Sequence, residues 1–182
     1  MNDLYKSDPE GWRIFSLRYF NPIGAHESGL IGEDPLGRPT NIFPLITQVA
    51  VGKFEKLPIY GNDWDTHDGT GIRDYIHVLD VADGHILALE FLLNDKPQIL
   101  NVNLGTSKPT SVLDLINTFE QVNNVKINYE FTKRRKGDIC SIIADNTLAS
   151  SILNWTPKRN IEDMCKDGWR WKTLNPNGFR DL

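Results

Sequence analysis

The sequence predicts an α/β fold. Short segments rich in aromatic and β-branched residues alternate with amphipathic segments along the whole chain, and no internal repeat or low-complexity stretch interrupts them. The composition, 40% hydrophobic and 24% charged over 182 residues, is that of one globular domain or part of one. The predicted strands are nevertheless few, short and widely separated. Such a set forms a lobe more readily than a complete doubly wound sheet.

Taken in order, Met1 to Ser7 reads as the tail of something that precedes it, and Pro9, Glu10 and Gly11 make a turn. Trp12 to Phe20 (WRIFSLRYF) reads as a buried strand that stops at Asn21-Pro22. Gly24 to Pro39, with four glycines and two prolines, is a long loop. Thr40 or Asn41 caps a helix with Ile42, Leu45, Ile46 and Val49 inward. Leu57 to Tyr60 is a short strand, Gly61 to Gly71 a polar loop, and Ile72 to Val78 is extended. Asp80 is expected to cap a helix to about Leu93, with Val81, Ala82, His85, Leu89 and Leu92 near one face. Leu100, Val102 and Leu104 alternate as a strand. Ser111 starts a helix with Val112, Leu115, Ile116 and Phe119 inward, and Asp114 stands where a capping box wants an acid. Ile127, Tyr129 and Phe131 alternate again. Asn160 caps a last helix with Ile161, Met164, Cys165 and Trp169 on one side.

Charge and composition exclude several classes. A formal net charge of -4 gives no global basic field, so nucleic-acid binding is not expected. No apolar run approaches membrane-spanning length, and the first residues lack the apolar centre of a signal peptide. Cys140 and Cys165 have neither metal-ligand spacing nor a disulfide framework, and read as free thiols. The expectation is a cytoplasmic protein with no metal, whose anion sites, if any, are built locally.

Four positions could carry chemistry. Asn21 follows a strand directly, and in open α/β sheets ligands sit at the carboxyl ends of strands. The alternative is an Asn that closes a turn. Arg73 has a fixed charge and a planar fork suited to phosphate, or else it pairs with Asp74 or Asp80. His77 on an apolar stretch is either a base or a hydrogen-bonded structural histidine. Lys133-Arg134-Arg135-Lys136 is a run of four like charges, either a solvated loop or, with Arg73, a diphosphate clamp. The glycines at 24, 29 and 32 lack dinucleotide-fingerprint spacing, and no P-loop occurs.

Several stretches together carry a resemblance: "SLRYFNPIGAH" (16–26), "GEDP" (32–35), "IYGNDWDTHDGTGIRDYIHVLDVADGH" (59–85), "NLGT" (103–106), "SVLDLI" (111–116) and "RRKGD" (134–138). In this order they resemble the carboxyl-terminal half of the UDP-glucose (UDP-galactose) 4-epimerases, within the extended short-chain dehydrogenase/reductase group. The resemblance covers essentially the whole chain. It implies a carboxyl-terminal substrate-binding lobe plus the last strands and helices of an NAD-binding Rossmann-type fold. Residues 1–182 are then expected to be one fragment, a truncated product or one half of a split enzyme.

The resemblance also implies roles. Phe20 matches a residue near the nicotinamide of NAD. Asn21 matches an asparagine on the substrate diphosphate. Asn41 and Ile42 match a helix start at the uracil and phosphate, and Pro58, Ile59 and Tyr60 match a strand beside the uracil. Arg73 and Arg135 match two arginines on the pyrophosphate, and Asp138 matches an acid on the ribose hydroxyls. Ile142 stands where some relatives carry a tyrosine lining the sugar pocket and others a smaller residue that admits N-acetylated sugars; isoleucine is intermediate in size. In the family a Tyr takes the C4 hydroxyl proton while NAD takes the C4 hydride. The glycine-rich NAD fingerprint and the catalytic Tyr-x-x-x-Lys pair are expected to be absent here. The implied partners are a UDP-sugar and a separate NAD-binding half; NAD is implied for the intact enzyme and is not expected to bind this chain alone. Two alternatives stand beside this reading: a non-catalytic UDP-sugar-binding module, and a fragment of a related sugar-nucleotide dehydratase.

Overall fold

The computed structural model describes residues 1–181. β1 (Arg13–Tyr19) runs parallel to β6 (Gln98–Leu104), with Arg13 opposite Gln98 and Tyr19 opposite Leu104. A parallel pair needs a long crossover, and the stretch between them includes α3 (Val78–Asn94), which packs on β1. α5 (Thr147–Leu153) covers β6 and contacts α3. Between these elements lies a first core of Ile76, Val81, Ala88, Val102, Leu104, Ala149, Leu153 and Trp155.

The expectation that the strand ends at Asn21-Pro22 is corrected. The chain stays extended as β2 (Asn21–Ile23), which pairs in parallel with β5 (Tyr75–His77). The Phe20 N–H donates to Leu104 O and the Asn21 N–H to Asp74 O, so the partner strand changes between adjacent residues. Pro22, which brings no N–H to a ladder, follows the switch.

α3 also differs from expectation. Its N-cap is His77, not Asp80: His77 Nδ1 accepts from the Leu79 N–H at 3.1 Å. Asp80 is instead buried, accepting from Arg159 Nη1 at 2.5 Å and from the backbone N–H groups of Lys158 and Arg159. The helix buries Val81, Gly84 and Ala88, whereas Ala82, His85 and Leu89 face outward. The cause is close approach. A Cβ on Gly84 would lie 2.7 Å from Leu104 Cδ1, so only the face of small residues can press against β6.

The second core is built by α2 (Ile42–Ala50), α4 (Val112–Asn123), α6 (Ile161–Leu174) and β3 (Leu57–Tyr60). Phe119 lies edge-on to both Phe43 and Trp169, with ring centres 6.0 and 5.6 Å away. Both predicted caps on α4 and α6 form: Ser111 with Asp114, and Asn160 with Asp163, each make a full capping box. Five elements escaped the sequence pattern: α1 (Asn2–Ser7), α5, β7 (Thr110–Ser111), β9 (Ser141–Ile142) and a 3-10 turn of helix (Gly178–Asp181). They are short, with too few residues to show a period.

β3 pairs in parallel with β8 (Tyr129–Thr132), and β4 (Ile72–Arg73) lies between antiparallel β7 and parallel β9. Of the alternating set expected near β8, only Ile127 is buried. The Tyr129 and Phe131 rings lie on the outside, edge to face at 5.6 Å. No helix among the described residues is long and apolar enough to cross a membrane.

Candidate functional site

The β3–β8 register sets the site. Tyr60 at the end of β3 stands opposite Thr132 at the end of β8, so loops 61–71 and 133–138 leave the same end of the pair. β4 approaches from the side, in register with Thr110 and Ile142 through Arg73. Between them opens a hollow. Asn21, Asn41, Ile42, Pro58, Ile59, Tyr60, Arg73, Arg135 and Asp138 all line it.

Phe20 and Ile142 do not line the hollow. Phe20 is held by its N–H on Leu104 O, and Ile142 sits half-exposed on β9. Trp64, Leu45, Tyr75 and Val112 do line it, without having been expected there. Sequence signals existed for two of them: Val112 follows a cap, and Trp64 is a large apolar residue inside a polar loop.

Arg73 is held by carbonyls, not carboxylates. Its Nη1 donates to Ile72 O at 2.7 Å and Ile139 O at 3.0 Å. Its Nε and Nη2 donors bond nothing else among the described residues. The alternative of an ion pair with Asp74 or Asp80 is therefore not what forms. Asp80 pairs with Arg159. Asp74, fully buried, accepts from Thr106 N (2.8 Å), Thr106 Oγ1 (2.6 Å), Ser107 N (2.9 Å) and Ala144 N (3.1 Å). It pins the loop after β6 and the segment after β9 to the end of β4, and so anchors the backbone that carries Arg73.

Arg135 lies over the Tyr60 ring, 4.5 Å from its centre, and its Nε donates to Asp138 Oδ2 at 3.0 Å. Asn41 is the N-cap of α2 but makes no side-chain cap bond, so its amide is not consumed by the helix it starts. The walls are apolar, from Leu45, Leu57, Pro58, Ile59 and Val112. A hollow with two cationic forks, one carboxylate, two amides and apolar walls suits a ligand with a dianionic linker and a planar ring.

His77 is structural. It is fully buried, and its Nε2 lies 3.3 Å from Asp167 Oδ2. With Nδ1 accepting from Leu79, the proton belongs on Nε2. Burial pushes its pKa down, against the pull of Asp167. Tyr75 is buried and its pKa is pushed up by burial, which disqualifies it as a base near neutrality. His67, Asp68 and Asp114 bring potential ligand atoms within 4.8 Å of one another, but both carboxylates already accept from Ser111.

The glycines at 24, 29 and 32 do not form a dinucleotide cradle. The space beside the loop glycines is already filled by protein. A Cβ on Gly24 would meet His77 Nε2 at 3.1 Å, one on Gly29 Leu174 Cδ1 at 2.6 Å, and one on Gly32 Trp171 Cγ at 2.2 Å. These glycines serve packing, not close approach to a pyrophosphate. The expectation that no Tyr-x-x-x-Lys spacing occurs is corrected by Tyr129 and Lys133, which stand four apart. Tyr129 lies on strand β8 and neither residue lines the hollow, so they are not neighbours on one helix face.

Residues 3–103 match the model of the NAD dependent epimerase/dehydratase family. The chain is 52% identical over 181 residues to UDP-glucose 4-epimerase of Pasteurella multocida, covering 100% of this chain and 53% of that protein. It is 51% identical to UDP-glucose 4-epimerase of Drosophila melanogaster, covering 98% and 51%. The crystal structure of UDP-glucose 4-epimerase from Bifidobacterium longum in complex with NAD+ and UDP superposes with a TM-score of 0.93 at 46% identity, covering 98% of this chain and 52% of that one. The chain thus spans about half the length of the curated relatives it matches. Its family model, its fold and its sequence agree, and this chain belongs to the NAD dependent epimerase/dehydratase family.

Proposed function

We propose that this chain is the UDP-sugar-binding half of a UDP-glucose 4-epimerase. The observation that carries the proposal is the shared hollow of Arg73 and Arg135, residues far apart in sequence. The free edge of Arg73 and the guanidinium of Arg135 receive the diphosphate. Asp138 accepts from the ribose hydroxyls. Tyr60, Pro58 and Ile59 wall the uracil, with Ile42 and Asn41 at the helix start, and Asn21 donates its amide to the linker. Ile142, outside the hollow, bears on the sugar only once a ligand reaches past Arg73. Turnover of UDP-GlcNAc against UDP-galactose, in an intact enzyme carrying this half, tests its effect on N-acetylated sugars.

The hydride chemistry belongs to a companion NAD-binding unit. Two features support such a partner. Among the described residues β1 pairs on one edge only, with β6. Beside it α3 shows an apolar stripe of Val78, Ala82, Ile86, Leu89 and Leu93, and Leu93 is 73% exposed. A parallel strand with its helix fits both. The free thiols Cys140 and Cys165 fit a cytoplasmic setting.

Calorimetric titration of UDP into the chain tests the reading. Weak binding is expected, and Arg73→Ala abolishes it. Unchanged affinity in Arg73→Ala would overturn the diphosphate assignment.

A further inference from the structure

Arg134 is absent from the lining of the hollow, yet it is the most tightly engaged member of the basic run. Its guanidinium lies 3.9 Å from the centre of the Trp64 ring. Its Nε donates to Asp63 Oδ1 at 2.7 Å, and its Nη2 donates to Asp63 O. Trp64, which does line the hollow, donates its indole N–H to Tyr60 O at 3.2 Å. Between them stands Gly61 at φ +89°, where a Cβ would meet Trp64 Nε1 at 2.6 Å and Arg134 Cγ at 2.9 Å. Both the backbone angle and the space demand glycine there.

Two consecutive arginines of one loop thus sit on two aromatics four apart, Arg135 on Tyr60 at the end of β3 and Arg134 on Trp64 in the loop that follows it. One arginine is fixed to the protein by three contacts, two to Asp63 and one to Trp64. The other is left with a carboxylate at its Nε and an open face towards the hollow. We propose that the Asp63–Trp64–Arg134 clasp is a positioning device, which holds loop 133–138 so that Arg135 reaches the diphosphate. The proposal rests on the UDP reading of the hollow. Arg134 is a positioning residue here, acting through Arg135, while Trp64 both braces Arg134 and lines the hollow. A planar fork suits this task because it can stack on the indole and bond Asp63 at the same time.

A double-mutant cycle on the chain tests the clasp, with UDP affinity read by calorimetry for the unaltered protein, Arg134→Ala, Arg135→Ala and the double variant. Arg134→Ala is expected to weaken UDP binding about tenfold, on the scale of one partly exposed cation–π contact with its hydrogen bonds. In the Arg135→Ala background the same substitution is expected to change nothing further. Trp64→Ala should repeat the loss and Trp64→Phe, which keeps a ring under Arg134, should restore most of it. If Arg134→Ala fails to fold, the cycle run with Asp63→Ala, which removes the acceptor of Arg134 Nε and leaves the lining of the hollow intact, decides the matter. Full affinity in Arg134→Ala, or a loss that simply adds to that of Arg135→Ala, overturns the clasp alone. Failure of the unaltered chain to bind UDP removes the diphosphate reading and the clasp with it.

Discussion

The Arg135 guanidinium lies 4.5 Å from the centre of the Tyr60 ring, and both side chains line the same hollow. The ring is 37% exposed, so it offers one face to the arginine and keeps a surface for a ligand. Tyr60→Ala removes both a wall and the aim of Arg135. UDP affinity is expected to fall by about 1–3 kcal/mol, whereas Tyr60→Phe keeps the ring and most of the affinity. Calorimetry on the two variants checks this, and equal loss in both would point to the hydroxyl instead.

Asp74 gathers four hydrogen bonds at a fully buried carboxylate. Asp74→Ala strands three backbone N–H groups and a hydroxyl at the end of β4. Unfolding in urea should show a loss of about 3–5 kcal/mol, the scale for removing one partner of a buried charged network. UDP binding should weaken as well, since Arg73 loses its anchored backbone.

Phe119 closes the second core between Phe43 and Trp169. It is fully buried, so Phe119→Ala leaves a cavity with rigid aromatic walls. The expected cost is about 3–5 kcal/mol in the same urea experiment. Phe119→Leu, which fills more of the space, should cost clearly less.

His77 gives the fold a mild acid sensitivity. Its folded-state pKa lies below the ordinary value of about 6.5, chiefly through burial. Between the two values the unfolded chain binds a proton that the folded chain refuses. Stability is therefore complete above about 6.5 and falls as pH drops from there towards the folded value. A urea midpoint series from pH 8 to 5 should show this slope, and His77→Asn, which keeps a capping acceptor, should flatten it.

The two thiols should behave differently. Cys165 is fully buried, and burial first, then Glu162, pushes its pKa up to about 12. Cys140 is half-exposed. A disulfide reagent at pH 8 should titrate one thiol in the native chain and two after denaturation. Rapid labelling of both in the native state would show that the second core opens readily.

Much of this molecule was legible in the chain because its signals were local. The Ser111 and Asn160 caps, the strand ending at Tyr60 and the α/β alternation each depend on a few neighbouring residues. The motif resemblance likewise pointed to nine residues that do share one hollow. The inward face of α3 was not legible, because that helix carries apolar residues on both faces. Closeness to Leu104 at Gly84 chose between them. Nor could sequence show that Asn21 changes partner strand, that His77 caps a helix, or that Arg134 stacks on Trp64 while Arg135 stacks on Tyr60. Capping and periodicity are settled within a turn or two of the backbone. Which face packs, and which of two like charges lines a hollow, depends on what another part of the chain brings alongside.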